Sequence, residues 1–137
     1  MVDRDVILER IRHLEKNINY LNGVNNYSKE KFSNEMDIYF RFERALHLAI
    51  EAVIDIGNHI IADQQFKTPD SNKNIFRILA DNNIINKELS ESLMKMAGFR
   101  NILVHDYLEL DRELEYEIIL NNIDDIEKFM EIAIKYI

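Results

Sequence analysis

The sequence has no cysteine, a single proline and only three glycines among its 137 residues. Without cysteine there is no disulfide, no thiol nucleophile and no thiolate metal site, and the composition suits a reducing cytosol. So little Gly and Pro favours long uninterrupted helices over turn-rich sheets. Long apolar runs are also missing. Met1–Asp5 mixes charges of both signs with no apolar stretch behind it, and no later segment reads as the roughly 18 apolar residues of a spanning helix. A cytoplasmic protein without a membrane segment is the expectation. Positive charge is scarce as well, with 17 Lys and Arg against 25 Asp and Glu and a net charge of −8. Coating nucleic acid through bulk electrostatics needs clustered cations, so that class is set aside. The charge is uneven. Residues 109–137 hold nine acidic and three basic side chains, a net −6, which leaves −2 for residues 1–108. Any nucleic-acid site must be local and lie outside the C-terminal helix.

What is present is a helical pattern in a chain the size of one domain, taken as residues 1–137. Ile7, Ile11, Leu14, Ile18 and Leu21 recur in steps of four and three, which predicts an amphipathic helix over residues 4–21 with Asp3 as its cap. Asn22–Asn26 reads as a connection. From about Phe32 to Ala62 the stripe Tyr39, Phe42, Leu46, Ala49, Val53, Ile56, Ile60 predicts one long helix, with a kink near Gly57 or an elongated bundle to accommodate it. Pro69-Asp70-Ser71 separates this from a short helix ending near Asp81. A fourth helix opens at Asn86 or Lys87, and Asp111 caps the last. The expected fold class is all-α, an antiparallel helical bundle of about five helices whose long elements leave flanks for a second subunit.

Four histidines are candidates for chemistry. His13 has basic neighbours and reads as a surface residue. His47, Glu51, Asp55 and His59 recur every four residues, the donor types of a zinc site. A helix drifts by about 40° over each such step, so His47 and His59 cannot converge on one ion. No metal is therefore expected, and no cofactor. Glu51 and Asp55 keep a possible role in orienting catalytic groups from across the bundle.

The octapeptide Arg100-Asn101-Ile102-Leu103-Val104-His105-Asp106-Tyr107 sets Asn101 and His105 one helical turn apart. Arg100 adjoins Asn101, and Tyr107 follows Arg100 by seven residues. Two readings stay open on spacing alone. One is a helix ending whose His complements the dipole and whose Arg is solvated. The other is a site for RNA cleavage by the 2′-OH, which needs a base, an acid and a cation for charge on the phosphorane. One His and one Arg supply half of that set. A two-fold dimer would supply the whole, without metal.

At these residues the chain resembles the HEPN superfamily, and within it the HepT-type toxins, whose hallmark is Arg, four residues, His, one residue, Tyr. The run from Arg44 to Ile61, Pro69-Asp70-Ser71, Met96-Ala97-Gly98-Phe99 and Asn121–Ile126 are similar too, so the likeness extends over roughly residues 5–135. The resemblance implies a homodimer with a composite cleft and metal-independent endoribonuclease activity. It makes Arg100 and His105 the catalytic pair and Asn101 their polar companion. It makes Tyr107 the tyrosine that a cognate minimal nucleotidyltransferase antitoxin modifies with AMP. The competing expectation is a non-catalytic, substrate-binding or accessory subunit of a nucleotidyltransferase, which the acidic balance favours mildly.

Overall fold

The computed structural model describes residues 4–105 and 110–137. These form α1 (Arg4–Leu21), a 3-10 turn (Asn22–Asn26), α2 (Lys29–Asn34), α3 (Met36–Asp63), α4 (Asn72–Asp81), α5 (Lys87–His105) and α6 (Arg112–Ile134), with no strand among the described residues. Among the described residues the count is six α-helices rather than the roughly five expected from the pattern. The extra one is α2. Ser28 Oγ accepts the Lys31 N–H at 3.1 Å and starts it, and Glu35 in extended backbone (φ −101°, ψ 107°) separates it from α3. Neither Pro nor Gly marks that break, so the apolar stripe runs through it unnoticed. Phe32 of α2 is fully buried and packs its ring 5.8 Å from Phe42 and 5.4 Å from Tyr116. Asp3, the expected cap of α1, lies outside the described residues.

The stripe of α1 is buried as expected, with Ile7, Ile11, Leu14, Ile18 and Leu21 all facing inward. They pack on α3, whose 28 residues span about 42 Å at about 1.5 Å each. The helical hydrogen bonding of α3 runs without a break through Gly57, where the sequence allowed a kink or an elongated bundle. Gly57 serves close packing instead: a Cβ at that position would lie 2.7 Å from Ile75 Cγ2 of α4. The Arg10–Asp55 and Tyr20–Phe42 contacts make α1 and α3 antiparallel. Ser90 Oγ donates to the Phe76 carbonyl at 2.9 Å while Lys73 lies against Gly98, which makes α4 and α5 antiparallel too. α6 runs beside α3 in the same sense, with Arg112 near Glu43 and Ile126 near Ile50. Leu46, Ile56, Ile60, Phe76, Leu79, Ile126 and Phe129 are at most 1% exposed at the centre. Each such side chain contributes about 1.5–3 kcal/mol of transfer free energy. α3 is long and apolar enough by length and composition to cross a membrane, but 61% of its most apolar window is buried inside the bundle.

Local signals fix the ends of the elements around the site. Gln65 and Asn83 take positive φ (58° and 61°) just past α3 and α4. In each case the following N–H reaches back to the last turn, Phe66 to the Ile61 carbonyl and Ile84 to that of Leu79, closing the helix with a left-handed residue. Ser71 caps α4, and Asn86 Oδ1 accepts the Leu89 N–H at 2.7 Å to open α5.

Candidate active site

The last turns of α5 bring Arg100 against α3, where its Nε donates a hydrogen bond to Glu51 Oε1. Arg100 and Glu51 are 27% and 34% exposed, and Nη1 of Arg100 is 3.5 Å from Asn101 Oδ1. On the same face of α3, one turn earlier, His47 Nε2 sits 3.6 Å from Glu51 Oε1. One carboxylate thus stands between an imidazole and a guanidinium. An ion pair this open to water adds only about 0–1 kcal/mol to stability. Its consequence is orientation: Nε is engaged by Glu51, and of the two terminal nitrogens Nη1 lies toward Asn101.

His105 is the last residue of α5 and is exposed, as is Asn101 one turn before it. From Arg100 to His105 the helix rotates by about 140° beyond a full turn and rises about 7.5 Å. The single polar flank expected from spacing therefore resolves into two parts, Arg100 turned toward α3 and Asn101 with His105 turned outward. Among the described residues His105 makes no hydrogen bond or ion pair. Tyr107 lies outside the described residues. Exposed Ile102 and Val104 (37% and 40%) flank the outward pair, and Leu48 (39%) is exposed on α3.

The four-residue polar stripe of α3 divides in the same way. Glu51 meets Arg100, whereas Asp55 faces α1 and pairs with Arg10 at 2.8 Å. Burial raises the Asp55 carboxyl pKa, Arg10 opposes that shift, and nearby Glu51 reinforces it. His59 is 6% exposed, and its Nδ1 lacks a partner among the described residues. It borders a hollow of about 430 Å³ together with Arg10 and Asp55. His13 is 3.4 Å from Glu9 at the surface. The described residues include no group of three or more His, Asp or Glu side chains able to hold a metal ion.

One cluster was not foreseen. Glu115, in the first turn of α6, is fully buried, and Arg112 Nε lies 3.2 Å from Glu43 Oε1 while its guanidinium stacks 3.9 Å over the Tyr39 ring. Burial, reinforced by the charge of Glu43, pushes the Glu115 carboxyl up to about 10. It therefore keeps its proton at neutral pH and directs it to Glu43. Burial also raises Glu43, against the hydrogen bond from Glu115 and the charge of Arg112. This knot pins the start of α6 directly after the octapeptide. The sequence offered only one signal for it, a Glu and an Arg inside an apolar seam.

The chain matches the family model described as Ribonuclease HepT-like over residues 7–133. It belongs to the HepT-like ribonuclease family. Among its relatives is the mRNA nuclease HepT of Shewanella oneidensis, 34% identical over 131 residues that cover 93% of this chain and 96% of the relative. The tRNA nuclease HepT of Aphanizomenon flos-aquae is 29% identical over 107 residues, covering 77% and 73%. A solved structure of the tri-AMPylated Shewanella oneidensis HEPN toxin in complex with its MNT antitoxin superposes with a TM-score of 0.86 and 34% identity. The match covers 97% of this chain and 98% of that one. The all-α HEPN fold and the HepT-type assignment read from the octapeptide thus hold.

Proposed function

We propose that this protein is a toxin ribonuclease that cleaves RNA in the cytoplasm without a metal ion, through a site shared by two protomers. The observation that carries the reading is Arg100 held by Glu51 at the end of α5, with Asn101 beside it and His105 turned away to solvent. In this reaction a neutral His105 takes the proton of the 2′-OH, whose oxygen attacks the adjacent phosphorus. The terminal N–H groups of Arg100 hold the phosphorane charge, and Asn101 orients the phosphate. A protonated His105 gives its proton to the departing 5′-oxygen, leaving a 2′,3′-cyclic phosphate and a free 5′-hydroxyl. One imidazole cannot be base and acid in the same step. A two-fold pairing supplies the second, and the exposed Ile102 and Val104 beside the octapeptide's outward pair provide apolar area for a second copy.

Control is assigned to Tyr107. A cognate minimal nucleotidyltransferase would transfer AMP to its hydroxyl, and the added phosphates would compete for Arg100 and repel RNA. The solved complex of the tri-AMPylated Shewanella oneidensis toxin with MNT antitoxin supports this. A second reading, an accessory subunit without catalysis, draws on the neutralisation of Arg100 by Glu51 in a chain of net charge −8.

The test is cleavage of RNA by purified protein in the presence of a chelator, with and without His105→Ala. Loss of at least about 100-fold is expected for the variant. Equal cleavage by both proteins removes His105 from the mechanism, and no cleavage by the wild type favours the accessory reading. After coexpression with the nucleotidyltransferase, mass spectrometry should find adenylate on the peptide containing Tyr107. Adenylate found only on other peptides would refute that assignment.

A further inference from the structure

Between α1 and α3, beside the site, lies a groove of about 550 Å³ whose walls include Lys16, Arg41 and Arg44 together with Tyr20, Phe40 and Leu48. Three cations in one groove is a local exception in a chain of net charge −8. Arg41 Nε donates to the Asp37 carbonyl at 2.8 Å, which orients its guanidinium without neutralising it. Lys16 and Arg44 make no hydrogen bond or ion pair among the described residues. The carboxylates further along the same seam, Glu51 and Asp55, are already engaged by Arg100 and Arg10. Tyr20, Phe40 and Leu48 leave 40%, 38% and 39% of their surfaces in water, with the Tyr20 ring tilted against Phe42 and the Phe40 ring edge-on to Tyr39.

The groove leads to the site. It shares Asn17 and Leu48 with a smaller hollow of about 220 Å³ bordered by His13, Glu51 and Asp55. Arg44 precedes Glu51 by two helical turns, about 10.5 Å along α3. A polyanion laid along α3 would pass from these cations directly to the Arg100 clamp.

We propose that this groove is a subsite for single-stranded RNA flanking the cleaved phosphate, a proposal that rests on the ribonuclease reading. Backbone phosphates lie against Arg44, Arg41 and Lys16, and an unpaired base stacks on the exposed part of the Tyr20 ring. Cations interleaved with exposed aromatic faces are the combination that holds single strands without regard to sequence. A groove of this size takes one or two unstacked nucleotides and cannot seat a duplex. A second copy of this chain is a poorer occupant, because a two-fold contact centred here would oppose the three cations to their own copies.

The test measures fluorescence anisotropy of a short single-stranded oligoribonucleotide made uncleavable with 2′-O-methyl groups, across a salt series. It compares the wild type with Arg41→Gln/Arg44→Gln and, separately, Lys16→Gln. The double variant should weaken binding by about 10-fold or more, and each cation removed should flatten the dependence of log K on log salt by roughly 0.7. If the double variant does not fold, Lys16→Gln decides by the same salt slope. Unchanged affinity and slope would overturn the proposal. So would a variant that shifts self-association or nucleotidyltransferase binding while RNA binding stays intact. Wild-type cleavage with unaltered variant binding removes the groove and leaves the ribonuclease reading standing. Absence of wild-type cleavage removes that reading on its own.

Discussion

Glu115 gives a stability profile that runs opposite to ordinary acid denaturation. Its side chain is fully buried, and its carboxyl pKa is about 10 against an ordinary 4.5. Between those values the unfolded chain has lost the proton and the folded chain keeps it, so folding takes up one proton and stability falls as pH rises. The stabilising contribution is complete below about pH 4.5 and gone once pH passes the folded value. For one proton the slope is a little over ~1 kcal/mol per pH unit, so about 3 kcal/mol is lost between pH 6 and pH 8. Glu115→Gln keeps the shape and a donor toward Glu43 while removing the titration. Urea denaturation at intervals across this range should show the wild type losing stability steeply. The variant should keep only the shallower slope of the same sign left by Glu43 and Asp55, whose carboxyls are also raised. Parallel profiles for the two proteins would refute the claim that Glu115 is protonated in the fold.

Gly57→Ala gains up to about 1 kcal/mol in helix propensity, but its Cβ would sit 2.7 Å from the buried Ile75, so a net loss of about 1–2 kcal/mol in urea midpoints is expected. Stability equal to the wild type would mean that α3 and α4 do not approach so closely. Glu51→Gln should slow RNA cleavage on the order of 10- to 100-fold through misplacement of Arg100. Its melting should change by less than about 1 kcal/mol, since the pair is partly exposed. Ser71→Ala should cost about 1 kcal/mol, read from thermal melts, by removing the acceptor of the Asn74 N–H at the start of α4.

Periodicity made the long helices legible. The stripes of α1 and α3, the stop around Pro69 and the Asp111 cap each write a local rule into consecutive residues. The break at Glu35 was not legible, because an extended residue there is stabilised by what α2 packs against, namely Phe42 and Tyr116 across the bundle. Gly57 stayed ambiguous for a related reason. A glycine in a helix can mark a bend or a close neighbour, and only the position of Ile75 decides between them. The burial of Glu115 is likewise a property of three elements meeting and not of any one segment.

The octapeptide shows the same limit at the site. Its residue types pointed to phosphate chemistry, and the i, i+4 step placed Asn101 and His105 together, but spacing within one helix cannot say which way Arg100 turns. That is settled by Glu51, 49 residues earlier in the chain. A guanidinium carries five N–H donors, of which Nε supplies one. Engaging that one with a carboxylate leaves the terminal pair in the planar fork that fits phosphate oxygens. On the proposed reading, Glu51 reduces the resting charge of the site while holding the geometry that would recognise a phosphate. An overall acidic protein can in this way keep one cation aimed, and on the same reading the approach of RNA would depend on where the remaining cations stand along α3.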